Sequence, residues 1–241
     1  MLAVACAASA AVPREWSQDQ KPFRIYGDTY YVGTRGLASI LVAGDSGHVL
    51  IDGDLPDSAP MIASHIRALG FRVEDVKVIL NTHVHFDHSG GLRTYVDEGA
   101  TVVTHQANQA FYQKAWSAPR TLNPDRLSRS KKTAKFTTVT DKRVLTGAGG
   151  RTIELHLIKG NPHNAELLMA WLPADRILFQ SDMFQPLNPN QAVPPPSPTL
   201  TNFSENLTRL NIKPEQIPGG HGSRAGTMAD LNKALGKSAQ Q

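Results

Sequence analysis

Among 241 residues there is a single cysteine, Cys6, so the chain can form no internal disulfide and no thiolate-based zinc knuckle. Long apolar runs are also missing. No stretch approaches the roughly 20 residues that a helix needs to cross a bilayer, so a helical membrane span is not expected. Charge of one sign is scarce: 25 Lys and Arg against 21 Asp and Glu leave only +4, and just one segment, Arg126-Leu127-Ser128-Arg129-Ser130-Lys131-Lys132, is densely basic. That segment reads as a solvated loop ahead of a phosphate-binding patch, and nucleic acid is not an expected partner. No Ser or Cys sits in a nucleophile-elbow context, and no segment repeats at a fixed period.

The length suits one sizeable α/β domain over residues 16–241. Residues 1–15 precede it as a signal-like or disordered segment. Met1 to Ala11 is apolar and holds an Ala-x-Ala cleavage pattern at Ala8-Ser9-Ala10, which predicts export to the periplasm or secretion, although the usual basic start is missing. Strands are expected at 23–26, 29–32, 38–42 and 48–51, separated by Gly and Asp turns. Ile62, Ile66 and Leu69 then recur at helical spacing, with Pro60 in the first turn and Gly70 past the end. Val76–Leu80 reads as a short buried strand, followed by helix, strand and helix over 91–114. Residues 117–147 are polar, basic and weakly periodic, and are expected to run over the surface as a long excursion. Strands over 152–158, 167–172 and 176–180 suggest a second sheet. Six prolines between Pro186 and Pro198 demand a loop, leading to helices near 203–210 and 226–236.

What the sequence does have is Asn81-Thr82-His83-Val84-His85-Phe86-Asp87-His88-Ser89-Gly90-Gly91, four metal-ligand side chains in one loop at a strand's C-terminal end. At this chain's own frequencies, the order His-x-His-x-Asp-His arises by accident in roughly one chain in a thousand. His83 and His85, two residues apart in an extended loop, project to one side. Asp87 and His88 turn the other way and can serve a second ion. Zinc takes imidazole nitrogens and carboxylate oxygens, and a catalytic ion leaves one position open for water. More distant ligands are then needed. His163, in a turn after a strand, and His221, between Gly220 and Gly222, are the candidates; a lone loop histidine is usually only solvated, but the four-ligand loop raises both. His156 is the alternative to His163. His48, His65 and His105 read as strand or helix-surface residues. Asp182, at a strand end, is the candidate bridging carboxylate, its plain alternative being a turn residue. Asp52, or Asp54 in its place, would accept the second ring N–H of a ligating histidine.

These residues resemble the metallo-β-lactamase superfamily, and the resemblance covers the chain from about Trp16. In its first half Pro22-Phe23-Arg24-Ile25-Tyr26-Gly27, Tyr31-Val32-Gly33-Thr34, Gly47 to Gly53 and Leu69-Gly70-Phe71-Arg72 are similar to the true β-lactamases whose first zinc is held by three histidines. The second half, with Pro162-His163-Asn164 and Asp182-Met183, is more similar to less characterised hydrolases of the superfamily. The resemblance implies a four-layer αβ/βα sandwich with two zinc ions, His83, His85 and His163 at the first, and Asp87, His88 and His221 at the second. It implies a hydrolase that opens a cyclic amide, a β-lactamase acting on a small molecule with a carbonyl and a carboxylate, and Asp87 as the catalytic group that orients the attacking water. Lactone, thioester or ester hydrolysis is the alternative, carried by Asp182. A non-catalytic metal-binding role is the remaining one; ligand sets with an open position usually do chemistry.

Overall fold

The structure, a computed structural model, describes residues 12–146, 151–222 and 224–237. Cys6 and the Ala8-Ser9-Ala10 pattern lie outside the described residues. A 3₁₀ turn at Arg14–Ser17 leads into β1 (Phe23–Tyr26), β2 (Thr29–Tyr31), β3 (Ile40–Val42) and β4 (His48–Ile51), then α1 (Ala59–Ala68), β5 (Val76–Leu80), α2 (Phe86–Ser89), α3 (Leu92–Glu98) and β6 (Thr101–His105). The chain continues through α4 (Gln106–Ser117), α5 (Arg126–Ser130), β7 (Lys135–Val139), β8 (Lys142–Thr146), β9 (Thr152–Leu157), β10 (Leu168–Leu172), β11 (Ile177–Phe179), α6 (Pro198–Leu210) and α7 (Met228–Ala234). Seven strands form one sheet in the order β1 to β7, antiparallel from β1 to β4 and parallel from β4 to β7. The second sheet is antiparallel, in the order β11-β10-β9-β8.

Two-residue alternation sorts the side chains into three apolar layers. Val49 and Ile51 of β4 face the second sheet, where they meet Leu155, Leu168, Ala170 and Phe179. Leu50, between them in sequence, faces the other way onto Ile62, Ile66, Tyr95 and Tyr112 of the helices. Met169 and Leu178 do the same on the second sheet, packing beneath Phe203, Leu207 and Leu231 of α6 and α7. Helix, sheet, sheet and helix therefore stack as a four-layer αβ/βα sandwich, and the strand ends of both sheets meet along one edge.

The expectation for residues 117–147 needs correction. Instead of a structureless excursion the segment holds α5 and two edge strands, β7 closing the first sheet and β8 the second. Edge strands such as Lys135-Phe136-Thr137-Thr138-Val139 bury little of their surface, so their apolar period is weak in sequence. The basic run is not a plain solvated loop either. It forms α5, capped by the Asp125 side chain on the Ser128 N–H, and Arg126 pairs with Asp97 and Glu98 at 3.1 and 2.5 Å. Nor does the proline segment end as a loop at Pro198, because Ser197 caps α6 and Pro198 takes its first turn, where a missing N–H costs nothing.

Asp125 also accepts a bidentate pair from the buried Arg93, at 2.5 and 2.9 Å, and the guanidinium holds its carboxyl well below the usual carboxylate range. A depressed carboxyl contributes stability that is complete above its unfolded value near pH 4 and fades as the pH falls toward the folded one. Arg93 already has a buried Nη1 without an acceptor, so it has no second partner to turn to. Asp125→Asn is expected to cost about 2 kcal/mol, below the figure for a fully buried pair because the carboxylate is part-exposed. Urea unfolding at pH 7 measures that loss, and the difference from the parent should shrink at pH 3.

Candidate metal centre

The centre forms where β4, β5 and β11 end. Asp52 and Ser181, each the first or second residue past its strand, adopt positive φ angles of 56° and 63°, a sparsely populated region that side-chain bonds must hold in place. Thr82 supplies them: its hydroxyl donates to Asp52 Oδ2 at 2.7 Å and lies 3.0 Å from the Ser181 hydroxyl, while its N–H donates to Asp52 Oδ1 at 2.8 Å. The Leu168 N–H donates to the Thr82 carbonyl, tying the second sheet to the same loop. Asn81 Nδ2 closes the turn on the His83 carbonyl at 2.7 Å, and its Oδ1 accepts from the Tyr112 hydroxyl at 2.5 Å.

All seven residues expected as ligands converge here. His83, His85, His163 and Asp182 form one group, and Asp87, His88, His221 and Asp182 another; within each, one ligand atom per residue lies within 4.8 Å of the rest. His83 Nε2 lies 3.3 Å from His163 Nε2 and 3.6 Å from Asp182 Oδ2, which is 3.1 Å from His163 Nε2. On the other side His221 Nε2 is 3.2 Å from Asp87 Oδ2 and 3.4 Å from Asp182 Oδ1. Donors arranged tetrahedrally at zinc distances of about 2.1 Å stand roughly 3.4 Å apart, so the spacing fits an ion on either side of Asp182. Gly220 permits the close approach: a Cβ there would lie 2.6 Å from His88 Cε1 and 2.7 Å from Asp182 Oδ1.

The electrostatics are those of a cation site. Burial works to raise the Asp182 carboxyl, but hydrogen bonds from His163, His221 and His88 outweigh it and hold it far below the usual range. His83 is pushed down to about 2 by burial, with His88 adding to the effect, and so presents a neutral imidazole as a ligand requires. His221 is pushed up to about 9, its bonds to Asp182 and Asp87 overcoming burial. Asp52 is fully buried and accepts the His88 Nδ1–H at 3.0 Å, leaving Nε2 turned toward Asp182. Asp54 bonds Ser39 instead, and burial raises it to about 7. Asp52, not Asp54, is thus the carboxylate that orients an imidazole at the centre.

His163 reaches the centre and its alternative His156 does not: His156 is a strand residue on β9 opposite Met169 and bonds Glu154 at 3.0 Å. His48 and His105 are also strand residues, in β4 and β6, but His65 is not on the helix surface. His65 is buried in α1, where one ring nitrogen meets the Val32 carbonyl and the other Asp19, both at 2.8 Å. His105 caps α4 through Nδ1. Sequence reasoning missed Thr82 and Ser181, which hold the loop, and Trp16, whose ring lies 5.0 Å from that of His221. The Gly36 carbonyl, 3.3 Å from His221 Nδ1, was missed as well. Trp16 carries no local signal, being brought to the centre only by tertiary packing of the 3₁₀ turn.

Two sheets whose joined edge gathers imidazoles and carboxylates around a shared aspartate define a metal-dependent hydrolase. Residues 32–221 match the metallo-β-lactamase superfamily, and the chain belongs to that superfamily. Solved structures agree in fold. The chain is 26% identical to the Rm3 metallo-β-lactamase, with 91% of this chain and 93% of that one covered and a TM-score of 0.66. It is 27% identical to a structure described as the first B3 metallo-β-lactamase with an active-site glutamic acid, with 94% of each chain covered and a TM-score of 0.65. MEM-A1, a subclass B3 enzyme from a soil metagenome library, is 28% identical, with 86% and 81% covered and a TM-score of 0.62.

Proposed function

We propose that the protein is a dizinc β-lactamase. The observation that carries the metal-hydrolase part of this reading is the pair of donor groups sharing Asp182, each with imidazole and carboxylate and no thiolate, a donor set suited to zinc. Support for the β-lactam substrate comes from the likeness to three β-lactamases along most of their length. A cleft of about 730 Å³ beside His221 adds to it, offering the Trp16 ring and the Arg35 guanidinium to a carboxylated cyclic amide. Arg35 has no carboxylate partner among the described residues, whereas Arg224 in the same cleft is engaged by Asp230 at 2.8 Å.

His83, His85 and His163 would hold one ion, and Asp87, His88 and His221 a second, with Asp182 common to the two donor groups. When bound, a zinc ion lowers the pKa of its water toward neutrality and polarises a carbonyl. Asp87, kept ionised by its bond to His221 against the opposing effect of burial, orients the attacking water as a hydrogen-bond acceptor. Asp52 fixes the His88 ring, and Thr82 fixes Asp52. The Ala-x-Ala pattern near the N-terminus supports export.

The second reading, hydrolysis of a lactone, thioester or ester, is favoured by the position of Asp182 in both donor groups. Turnover of nitrocefin, an acyl lactone and a thioester on one zinc-loaded sample decides between them. Nitrocefin should be hydrolysed fastest, and exhaustive chelation should abolish the activity until Zn²⁺ is returned. A dominant lactone or thioester rate would replace the β-lactam assignment, and turnover by metal-free protein would remove the metal mechanism.

A further inference from the structure

At the far end of the first sheet lies a cavity that the hydrolytic centre does not use. It has about 730 Å³ of space between the end of α4 and the segment that carries α5, within the usual range for a small-molecule site. Thr101 of β6 pairs with Lys135 of β7 beside it, whereas the metal loop leaves the C-terminal end of the parallel neighbour β5. The cavity therefore lies toward the N-terminal ends of the parallel strands and the metal loop at their C-terminal ends, with Tyr112, which bonds Asn81, between them.

Its lining combines two features. One wall is aromatic: Trp116 stacks on Phe136 with centroids 5.9 Å apart and planes at 18°, and on Tyr112 behind it at 4.8 Å. The rest is cationic, with Arg120, Arg129, Lys131 and Lys132 in the lining and no carboxylate. The acidic residues nearby are taken up elsewhere. Asp97 and Glu98 engage Arg126, and Asp125 engages Arg93 and Arg120. Lys132 donates to the Asp97 carbonyl. Arg129, whose Nη1 donates to the Pro124 carbonyl at 3.0 Å, and Lys131 have no carboxylate within salt-bridge distance among the described residues, so their charges are uncompensated.

We propose that this cavity binds a small organic anion with a flat ring, the ring lying on Trp116 and Phe136 and the anionic group on Arg129, Lys131 and Lys132. A planar guanidinium and flexible ammonium groups suit a sulfonate, phosphate or carboxylate, and the half-buried Trp116 and Phe136 rings leave an apolar wall suited to an aromatic partner. The site is independent of the hydrolytic reading.

Isothermal titration of the zinc-loaded full chain with naphthalene-2-sulfonate tests it, with neutral 2-naphthol as the control. The sulfonate should bind with a Kd on the order of 100 µM and 2-naphthol at least about 10-fold more weakly. The exposed double variant Arg129→Glu/Lys131→Glu should lose more than about 10-fold in affinity, as should Trp116→Leu, and added salt should weaken binding. His85→Ala, altered at the metal centre, should bind the probe as the parent does. If Trp116→Leu unfolds, the charge-reversed variant still decides. Absence of binding, equal binding of 2-naphthol, no effect of charge reversal, or loss of binding in His85→Ala would each overturn the proposal.

Discussion

A His85→Ala variant should lose more than about 100-fold in hydrolysis and a large part of its bound metal, while the metal-free protein unfolds at the parent's temperature. Outer partners of metal ligands typically contribute 10-fold to 100-fold, and a ligand itself should exceed them. His85 is the informative choice because it makes no side-chain hydrogen bond among the described residues. Its ring only meets the edges of His83 and His163, at 4.4 and 4.7 Å between centroids. Removing it deletes a donor without untying the loop, which Thr82, Asn81 and Asp52 hold by other bonds. His65→Ala provides the contrast. It removes a buried link from α1 to Val32 and Asp19, and should lower the melting temperature with the metal content unchanged. Metal analysis and thermal melting on both variants separate the two effects, and equal metal loss in both would place the centre elsewhere.

The difference between His85 and His65 also marks what could be read from the sequence. Ligands crowded into one loop need no knowledge of the fold, since two-residue spacing in extended chain already puts His83 and His85 on one side. Asp182, His163 and His221 were legible more weakly, as polar residues at strand ends, and only the strand register decided His163 over His156. His65 shows the opposite case. Its helix was evident from Ile62 and Ile66, but a polar residue on the buried face is recognised only once Asp19 and the Val32 carbonyl are seen to meet it.

The layers of the fold were legible only through the resemblance, because β4 and β10 are apolar almost throughout and their two-residue rule, by which successive side chains enter different cores, shows only in the structure. In β7 and β8 the same rule had little to act on, because edge strands keep one face in water. The segment consequently read as a loop. Asp97, Glu98 and Asp125 explain why its basic residues fold as α5: each carboxylate lies far from α5 in sequence or just before it, and the ion pairs exist only after α3 and α5 pack together.

Asp182→Ser should bring the metal content from two ions toward one per chain and depress turnover by on the order of 10-fold to 100-fold. The carboxylate lies between two histidine-bearing groups, with Oδ2 near His163 and His83 and Oδ1 near His221 and His88. In the absence of an ion its negative charge is met by protons on His88 and His221, both of which it raises. With serine there, those imidazoles lose their shared anion, and a second dication would have to bind beside the first without the charge that screens the two from each other. A serine hydroxyl keeps the small polar volume and adds no Cβ conflict with Gly220, so the loop should remain folded and the loss should register in metal stoichiometry before it registers in melting of the metal-free form. Metal analysis by mass spectrometry, run beside nitrocefin and lactone kinetics, reads the result directly. If two ions and full activity remain, Asp182 is a turn residue at the end of β11, the case for lactone or ester hydrolysis loses its main support, and the β-lactam reading stands on the cleft and the relatives alone.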